Sequence, residues 1–388
     1  MAGNTATYLK ETRMSVAVTP VSGRRDLDAF IRLPFRLYRD DPNWVPPLLF
    51  MERHRFHPKT NPFLQHADHQ LFLARRNGEV VGRISAQVDH EHNRFHEERT
   101  GFFGFFESED DPRTASALLE TAEGWLRERG MESVRGPLSF SINQEVGLLV
   151  DGFDTPPMIM MNHARPYYGP LIEGAGFARL KDLFAWLYHT ETVPPKARKA
   201  VEELRGRPDV KIRNGEIGRF REEIATILEV FNSAWSENWG FVPVTEAEAK
   251  RLGEDLKQIA DPNIVIIAEI EGQPAGVVLA APNLNEAIHD LGGSLFPFGW
   301  AKLLWRLKVR KPKTGRLMIL GVKREYRTRH YLALAYLLCD EVYRGARKSG
   351  YHRCEFSWTL EDNTAVNTII RNVGCEIYKT YRIYEKPL

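Results

Sequence analysis

Residues 71–87 read LFLARRNGEVVGRISAQ, two apolar runs joined by a polar Asn-Gly turn, and residues 264–280 read IVIIAEIEGQPAGVVLA, the same device with Glu-Gly at its turn. Each pattern predicts a β-hairpin. Ala74 and Gly82 of the first recur as Ala268 and Gly276 of the second, 194 positions on. The match continues outward from the hairpins. Upstream lie the helical patterns DLDAFIRLPFRLYRD (26–40) and RFREEIATILEVFNSAW (219–235), then DPNWVPP (41–47) and ENWGFVP (237–243), whose Asn-Trp pairs stand 195 apart. Downstream, SALLETAEGWLRERGMESVRG (116–136) and LAYLLCDEVYRGARKSGYHRCEF (334–356) each predict a long helix and a Gly turn into a strand. Each half closes on a short helix and a last strand, with turns at Gly176 and Gly374. A period this long makes each copy a whole domain, not a solenoid unit. The reading is an α/β (α+β) fold of two lobes, each a mixed, mostly antiparallel sheet flanked by helices. We expect an N-terminal domain over 14–190 and a linker helix over 191–207, within TETVPPKARKAVEELRGRPD (190–209), with no apolar face of its own. A C-terminal domain over 208–388 carries an insertion at 284–316.

Bulk composition agrees with two domains: 388 residues, 43% hydrophobic, suit two cores of ordinary size. Fifty-three basic against 51 acidic side chains leave a net charge of +2, so no global field draws the chain to nucleic acid. Three cysteines, Cys339, Cys354 and Cys375, form no even disulfide framework and point to a reducing cytoplasm. The opening MAGNTATYLKETRMSVAV has no signal-peptide core, and no apolar run is long enough to span a bilayer.

The element order, with Arg327 at the bend from strand RLMILGV (316–322) into the helix that follows, resembles the GCN5-related N-acetyltransferase (GNAT) superfamily, in tandem, over roughly residues 14–388. That resemblance implies an acyl-CoA substrate lying between two splayed strands, its pyrophosphate at a helix N-terminus, where unpaired N–H groups and the helix dipole favour anions. It implies contacts from Leu320, Val322, Arg327, Thr328, Arg329, His330, Tyr331 and Leu332, with the helix starting near Thr328. The superfamily's bend is Arg-x-x-Gly-x-Gly; here His330 and Leu332 fill the glycine positions and would crowd a tightly seated phosphate, while Arg329 and His330 add donors. Asn363 fills the position that opens the superfamily's last helix, and Ile370 stands where its thiolate-protonating Tyr is usual. By periodicity, Leu332, Leu334, Leu337 and Leu338 form the helix's core stripe. The phrases LYRDDPNWVPPL, GFFGFFES, LSFSINQEVGLLVDGFDTPP, APNLNEAI and FSWTLEDN resemble a narrower bacterial group that includes ceramide synthases, which join a long acyl chain to a sphingoid amine.

Acyl transfer from a thioester to an amine needs the amine neutral, the carbonyl polarised and the thiolate protonated. Candidates for these roles are Glu145 and Asn143 in the irregular stretch 139–161, Glu107 at the end of GFFGFFE (101–107), Tyr168 before the last helix of the first half, and His92 in DHEHNRFHEE (89–98). The alternatives are a capped turn for Asn143 and Glu145, core packing for Tyr168 and a solvated loop for His92. Cys339 lies at helical spacing among apolar residues and reads as a buried structural thiol. No metal is expected, since the histidine cluster at 90–96 lacks a recognisable partner element.

The stretch LFPFGWAKLLWRLKVRKPKTGR (295–316) has no counterpart in the first half beyond the short histidine loop. Trp300, Leu303, Leu304 and Leu307 follow one helical face, and seven cations including Arg306 and Arg310 accompany them. The pattern predicts an interfacial helix on an anionic membrane surface, the alternative being a helix packed on its lobe. The functional expectation is a cytoplasmic N-acyltransferase, peripheral on the inner face of the membrane, joining long-chain acyl groups to a lipid amine. Open alternatives are a soluble acetyltransferase of a small amine and a non-catalytic binding protein. Nucleic acid is not an expected partner, and oligomeric state is not readable.

Overall fold

Both hairpin turns place two consecutive residues at positive φ, Asn77 (55°) with Gly78 (83°) and Glu271 (52°) with Gly272 (78°). This is the backbone whose twist matches the flanking strands of a two-residue hairpin. The structure is a computed structural model describing residues 16–188 and 195–388. The readings of the N-terminal stretch and of the start of the link, 189–194, lie outside the described residues.

The first half contributes β1 (Ala17–Pro20), β2 (Ala67–Arg76), β3 (Glu79–Asp89), β4 (Thr100–Ser108), β5 (Ser133–Gly136), β6 (Leu138–Ser139), β7 (Glu145–Val146), β8 (Leu148–Asp151) and β9 (Ala178–Tyr188). The second contributes β10 (Val210–Asn214), β11 (Val265–Ile270), β12 (Gln273–Pro282), β13 (Thr314–Val322), β14 (Arg353–Leu360) and β15 (Cys375–Pro387). The duplication extends to register. Ala74 faces Gly82 and Ala268 faces Gly276, and each hairpin shifts register immediately after that alanine. In each half one parallel pair is short: β4 and β5 pair only over Thr100–Phe102, β13 and β14 only over Thr314–Leu317, and beyond those residues the strands part.

The halves do not close separately. The sheet runs β1-β2-β3-β4-β5-β15-β9-β14-β13-β12-β11-β10, so the last strand of each half pairs with the other half's sheet: β15 lies against β5, and β9 against β14. The linear ranges 14–190 and 208–388 remain a proposal for how the chain divides, and the sheet itself has no break there.

Helices cover the sheet as their apolar faces require. Leu118, Leu119 and Leu126 of helix Pro112–Arg127 are buried in the first core, and Leu334, Leu337 and Leu338 of helix Leu334–Ser349 in the second. Two expectations need correction. Leu332 is 75% exposed and outside the stripe, because the helix begins at Leu334, not Thr328; Arg324–Tyr326 and Arg329–Tyr331 form two tight turns before it. The linker helix, Pro195–Arg205, does have an apolar face: Val201 and Leu204 are buried in the second core, and Arg205 pairs with Asp340 and Glu341. No helix among the described residues is long and apolar enough to cross a membrane.

Candidate active site

The two splayed pairs have opposite fates. In the first half the chain itself narrows the gap: Leu138 crosses β4 so closely that a Cβ on Gly104 would lie 1.9 Å from the Leu138 carbonyl oxygen, and Phe106, Glu107 and Tyr168 line the cavity beyond that crossing. Tyr168 donates to Glu107 at 2.7 Å, and Tyr167 to the Ser108 carbonyl at 3.0 Å. Glu107 is thus buried among Tyr168, Tyr38 and Arg83, and burial pushes its carboxyl above the ordinary range. The helix following β4 has its N-terminus capped by Asp111, which accepts from the Arg113 amide at 3.0 Å, so a carboxylate already occupies the positive end of that dipole.

In the second half the gap stays open. It forms one wall of a cavity of about 1460 Å³ between the lobes, lined there by β13 residues Leu320 and Val322, by Arg327, Tyr331 and Leu332, and by Asn363 and Ile370. The helix beginning at Leu334 has no side-chain cap, and its approach carries Arg324, Arg327, Arg329 and His330, all exposed. Arg327 donates through Nε to the Val322 carbonyl (2.9 Å) and through Nη2 to that of Ala234 (2.6 Å), leaving Nη1 without a partner among the described residues. Thr328, Arg329 and His330 form the exposed outside of the bend and do not line the cavity. Tyr331 anchors the bend, donating to Asp209 at 3.0 Å. Asn363 caps the helix Thr364–Asn372.

The opposite wall belongs to the first half. Asn143 lines it and donates to the Val242 carbonyl at 3.1 Å. Glu145 lines it too, gripping Arg55 at 2.9 Å; Arg55 also lies 3.8 Å from Glu52 and stacks 4.7 Å over the Phe105 ring. Near the end of the paired stretch of β13 and β14, Arg316 is buried, donating to Ser357 (2.7 Å) and to the Ile159 and Met160 carbonyls (2.9 and 3.1 Å), with the Glu355 carboxylate 3.7 Å away. Glu145 and the β13–β14 splay thus line one cavity.

His92 does not belong here. Its ring is buried edge-on against Phe102 and beside His96, outside the cavity, and burial lowers its pKa to about 4. His96 contacts the Phe241 carbonyl at 2.9 Å, while His90 turns away to Asp68, so only two of the three imidazoles lie together. No group of three or more metal-ligating side chains occurs among the described residues.

The insertion folds as helix Gly299–Trp305 continued by a wider turn over Arg306–Arg310. Leu303, Leu304 and Leu307 line the cavity's edge beside Phe50 and Met51, and the Leu49 amide bonds the Gly293 carbonyl at 2.9 Å, joining the two segments. Arg306 is a correction: it is buried and held by Asp290 at 2.6 Å, with Lys302 on the same carboxylate. Arg316 is buried as described above. Lys308, Arg310, Lys311 and Lys313 are exposed without ion pairs among the described residues. Sequence periodicity also missed part of the apolar surface: Phe296 and Phe298 before the helix, Trp305 at its end and Val309 in the wider turn are exposed together with Trp300 and Leu304.

Comparison with known proteins gives two relatives spanning nearly the whole chain. It is 48% identical over 382 residues to the bacterial ceramide synthase of Caulobacter vibrioides (97% of this chain, 99% of the relative). It is 43% identical over 368 residues to protein YghO of Escherichia coli (94% of each). No family model matches. Among solved structures, the tandem GNAT protein from the clavulanic acid biosynthesis pathway superposes with a TM-score of 0.57 at 13% identity, covering 96% of this chain and 98% of that one. A GCN5-related N-acetyltransferase from Sphaerobacter thermophilus gives 0.53 at 14%, covering 96% and 95%. The repeated register, the paired splayed strands and these full-length relatives agree: the chain has the fold of tandem GNAT proteins and belongs to the family that contains the Caulobacter bacterial ceramide synthase and YghO.

Proposed function

We propose that this protein is an acyl-CoA-dependent N-acyltransferase that transfers a long-chain acyl group to a lipid amine such as a sphingoid base. One observation carries the reading: a single cavity joins the open splay of β13 and β14, the charged wall at Glu145 and an exposed apolar rim. Its volume of about 1460 Å³ exceeds what a drug-sized ligand needs, and much of its lining is apolar. The relative named ceramide synthase supports the same chemistry.

On this reading the uncapped helix end, Nη1 of Arg327 and the cations Arg324 and Arg329 attract the diphosphate of the donor. The thioester lies along β13, and its acyl chain in the apolar interior. The acceptor enters past Phe50, Met51 and Leu304, drawn from a bilayer on which Trp300, Trp305 and the cations at 308–313 rest. The protein then works as a peripheral protein on the inner face of the membrane. Ile370 offers no proton to the departing thiolate, so that proton comes from the reacting nitrogen or from water. Asn143 borders the acceptor, whereas Glu107 and Tyr168, occupied with each other, hold the first half's wall in place. The test is incubation with palmitoyl-CoA and sphinganine or its 3-keto form, followed by mass spectrometry. A long-chain amide is expected, and no amide with any long-chain base overturns the reading.

A further inference from the structure

The carboxylates around the cavity differ in how far they are already committed. Glu107 accepts from Tyr168, Glu145 holds Arg55, Glu223 holds Arg213 at 2.6 Å, and Glu248 accepts the Thr245 hydroxyl at 2.7 Å and amide at 3.0 Å. Glu216, Glu254 and Asp255 lie in solvent. Glu52 is different. It sits in helix Leu49–Arg55, lines the cavity with its side chain 15% exposed, and its carboxylate accepts no hydrogen bond among the described residues. Its nearest cation is Arg55 at 3.8 Å, and that guanidinium is closer to Glu145.

With Arg83, which lies 3.6 Å from Glu107, counted in, the local balance is three carboxylates (Glu52, Glu107 and Glu145) to two guanidiniums (Arg55 and Arg83), in a largely apolar cavity. Such a site is one cation short. An ammonium group supplies it.

We infer that Glu52, which no sequence pattern singles out, is the catalytic base: the acceptor's ammonium docks between Glu52 and Glu145, and Glu52 takes its proton. This rests on the N-acyltransferase reading above. The step balances. R–NH₃⁺ gives one proton to Glu52 and becomes a neutral nucleophile; its lone pair forms the C–N bond to the thioester carbonyl carbon. Collapse of the tetrahedral adduct breaks the C–S bond, and a second nitrogen proton passes to the sulfur, giving amide and free thiol. Glu52 returns its proton to solvent. The charged groups facing Glu52 are Arg55 on its own helix, Glu145 on β7 and Arg83 on β3. Burial outweighs them and raises its carboxyl above the ordinary range, in the direction a base for an ammonium requires.

The experiment compares wild type, Glu52→Gln and Glu145→Gln on one acyl-CoA and amine pair, with kcat/KM profiled against pH and acyl-CoA binding followed by calorimetry. Glu52→Gln is expected to lower kcat by about 10²–10⁴-fold with acyl-CoA binding intact. The wild-type rate falls as pH drops through the Glu52 pKa. Glu52→Gln loses that acid limb, its residual rate rising with pH as the free amine deprotonates. Glu145→Gln keeps the limb and raises KM for the amine. Glu52→Gln within about threefold of wild type, or disappearance of the limb in Glu145→Gln instead, overturns the inference. Should Glu52→Gln fail to fold, Glu52→Asp decides: a retained limb with reduced kcat supports the role, and an unchanged kcat overturns it. A wild type that makes no amide overturns the functional reading and this inference with it.

Discussion

The bends after β4 and after β13 descend from one pattern and now carry opposite charge. After β4 come Glu109, Asp110 and Asp111, with Asp111 seated on the helix end. After β13 come Lys323, Arg324, Arg327, Arg329 and His330, and the helix end is uncapped. The gaps behind the bends both reach the cavity, but the first is narrowed by the Leu138 crossing and the Tyr168–Glu107 pair, whereas the second presents Leu320, Val322 and Arg327 to it. Duplication has kept the hairpin register to the residue and divided the work. One lobe has become a wall, and the other keeps the opening through which the proposed donor binds.

The sharpest way to break this contrast is to disturb the narrowed gap. Gly104→Ala puts a methyl against the Leu138 backbone, which cannot move as a side-chain tip would, and is expected to cost about 3 kcal/mol, the upper end of overpacking. Chemical denaturation reads it, and an unchanged midpoint would mean that the crossing is loose. Next in size, Arg327→Ala should weaken acyl-CoA binding by about 1.5–3 kcal/mol, the loss of one charged hydrogen bond, while Asp110→Asn on the opposite bend leaves affinity unchanged. Calorimetry giving the reverse order would move the donor to the first lobe. The smallest effect concerns the loops joining the third and fourth strands of each lobe, where the first has the histidine helix and the second the insertion. Lys311→Gln should reduce binding to phosphatidylserine-containing vesicles by about fivefold, since each cation near an anionic surface contributes about 1 kcal/mol. Sedimentation that ignores the change would leave the rim without a bilayer.

Much of the architecture was legible because it rests on local rules. Asn77-Gly78 and Glu271-Gly272 mark two-residue turns by their own conformational preferences, and a repeated spacing needs no structure to be seen. The strand exchange was not legible. Both halves present similar edges, and alternation along Cys375–Pro387 says which face is buried, not which neighbour it joins. The site was legible where a residue is anchored by type, as with Asn363 capping its helix. It was illegible where tertiary contact decides the environment. Arg306 reads as surface charge until Asp290 folds against it, His92 reads as a loop residue until Phe102 covers it, and Glu52, within LFMERHR, looks like any solvated helix position.

The placement of β15 has a consequence for how the molecule is made. Residues 375–387 must thread between β5 and β9, whose neighbours leave the ribosome roughly two hundred codons earlier. Until then β5 has one unpaired edge and β9 has two, since both neighbours of β9 come from the second half. Severing the chain within the link would therefore give not two working modules but two halves of a zip fastener, active only on reassembly.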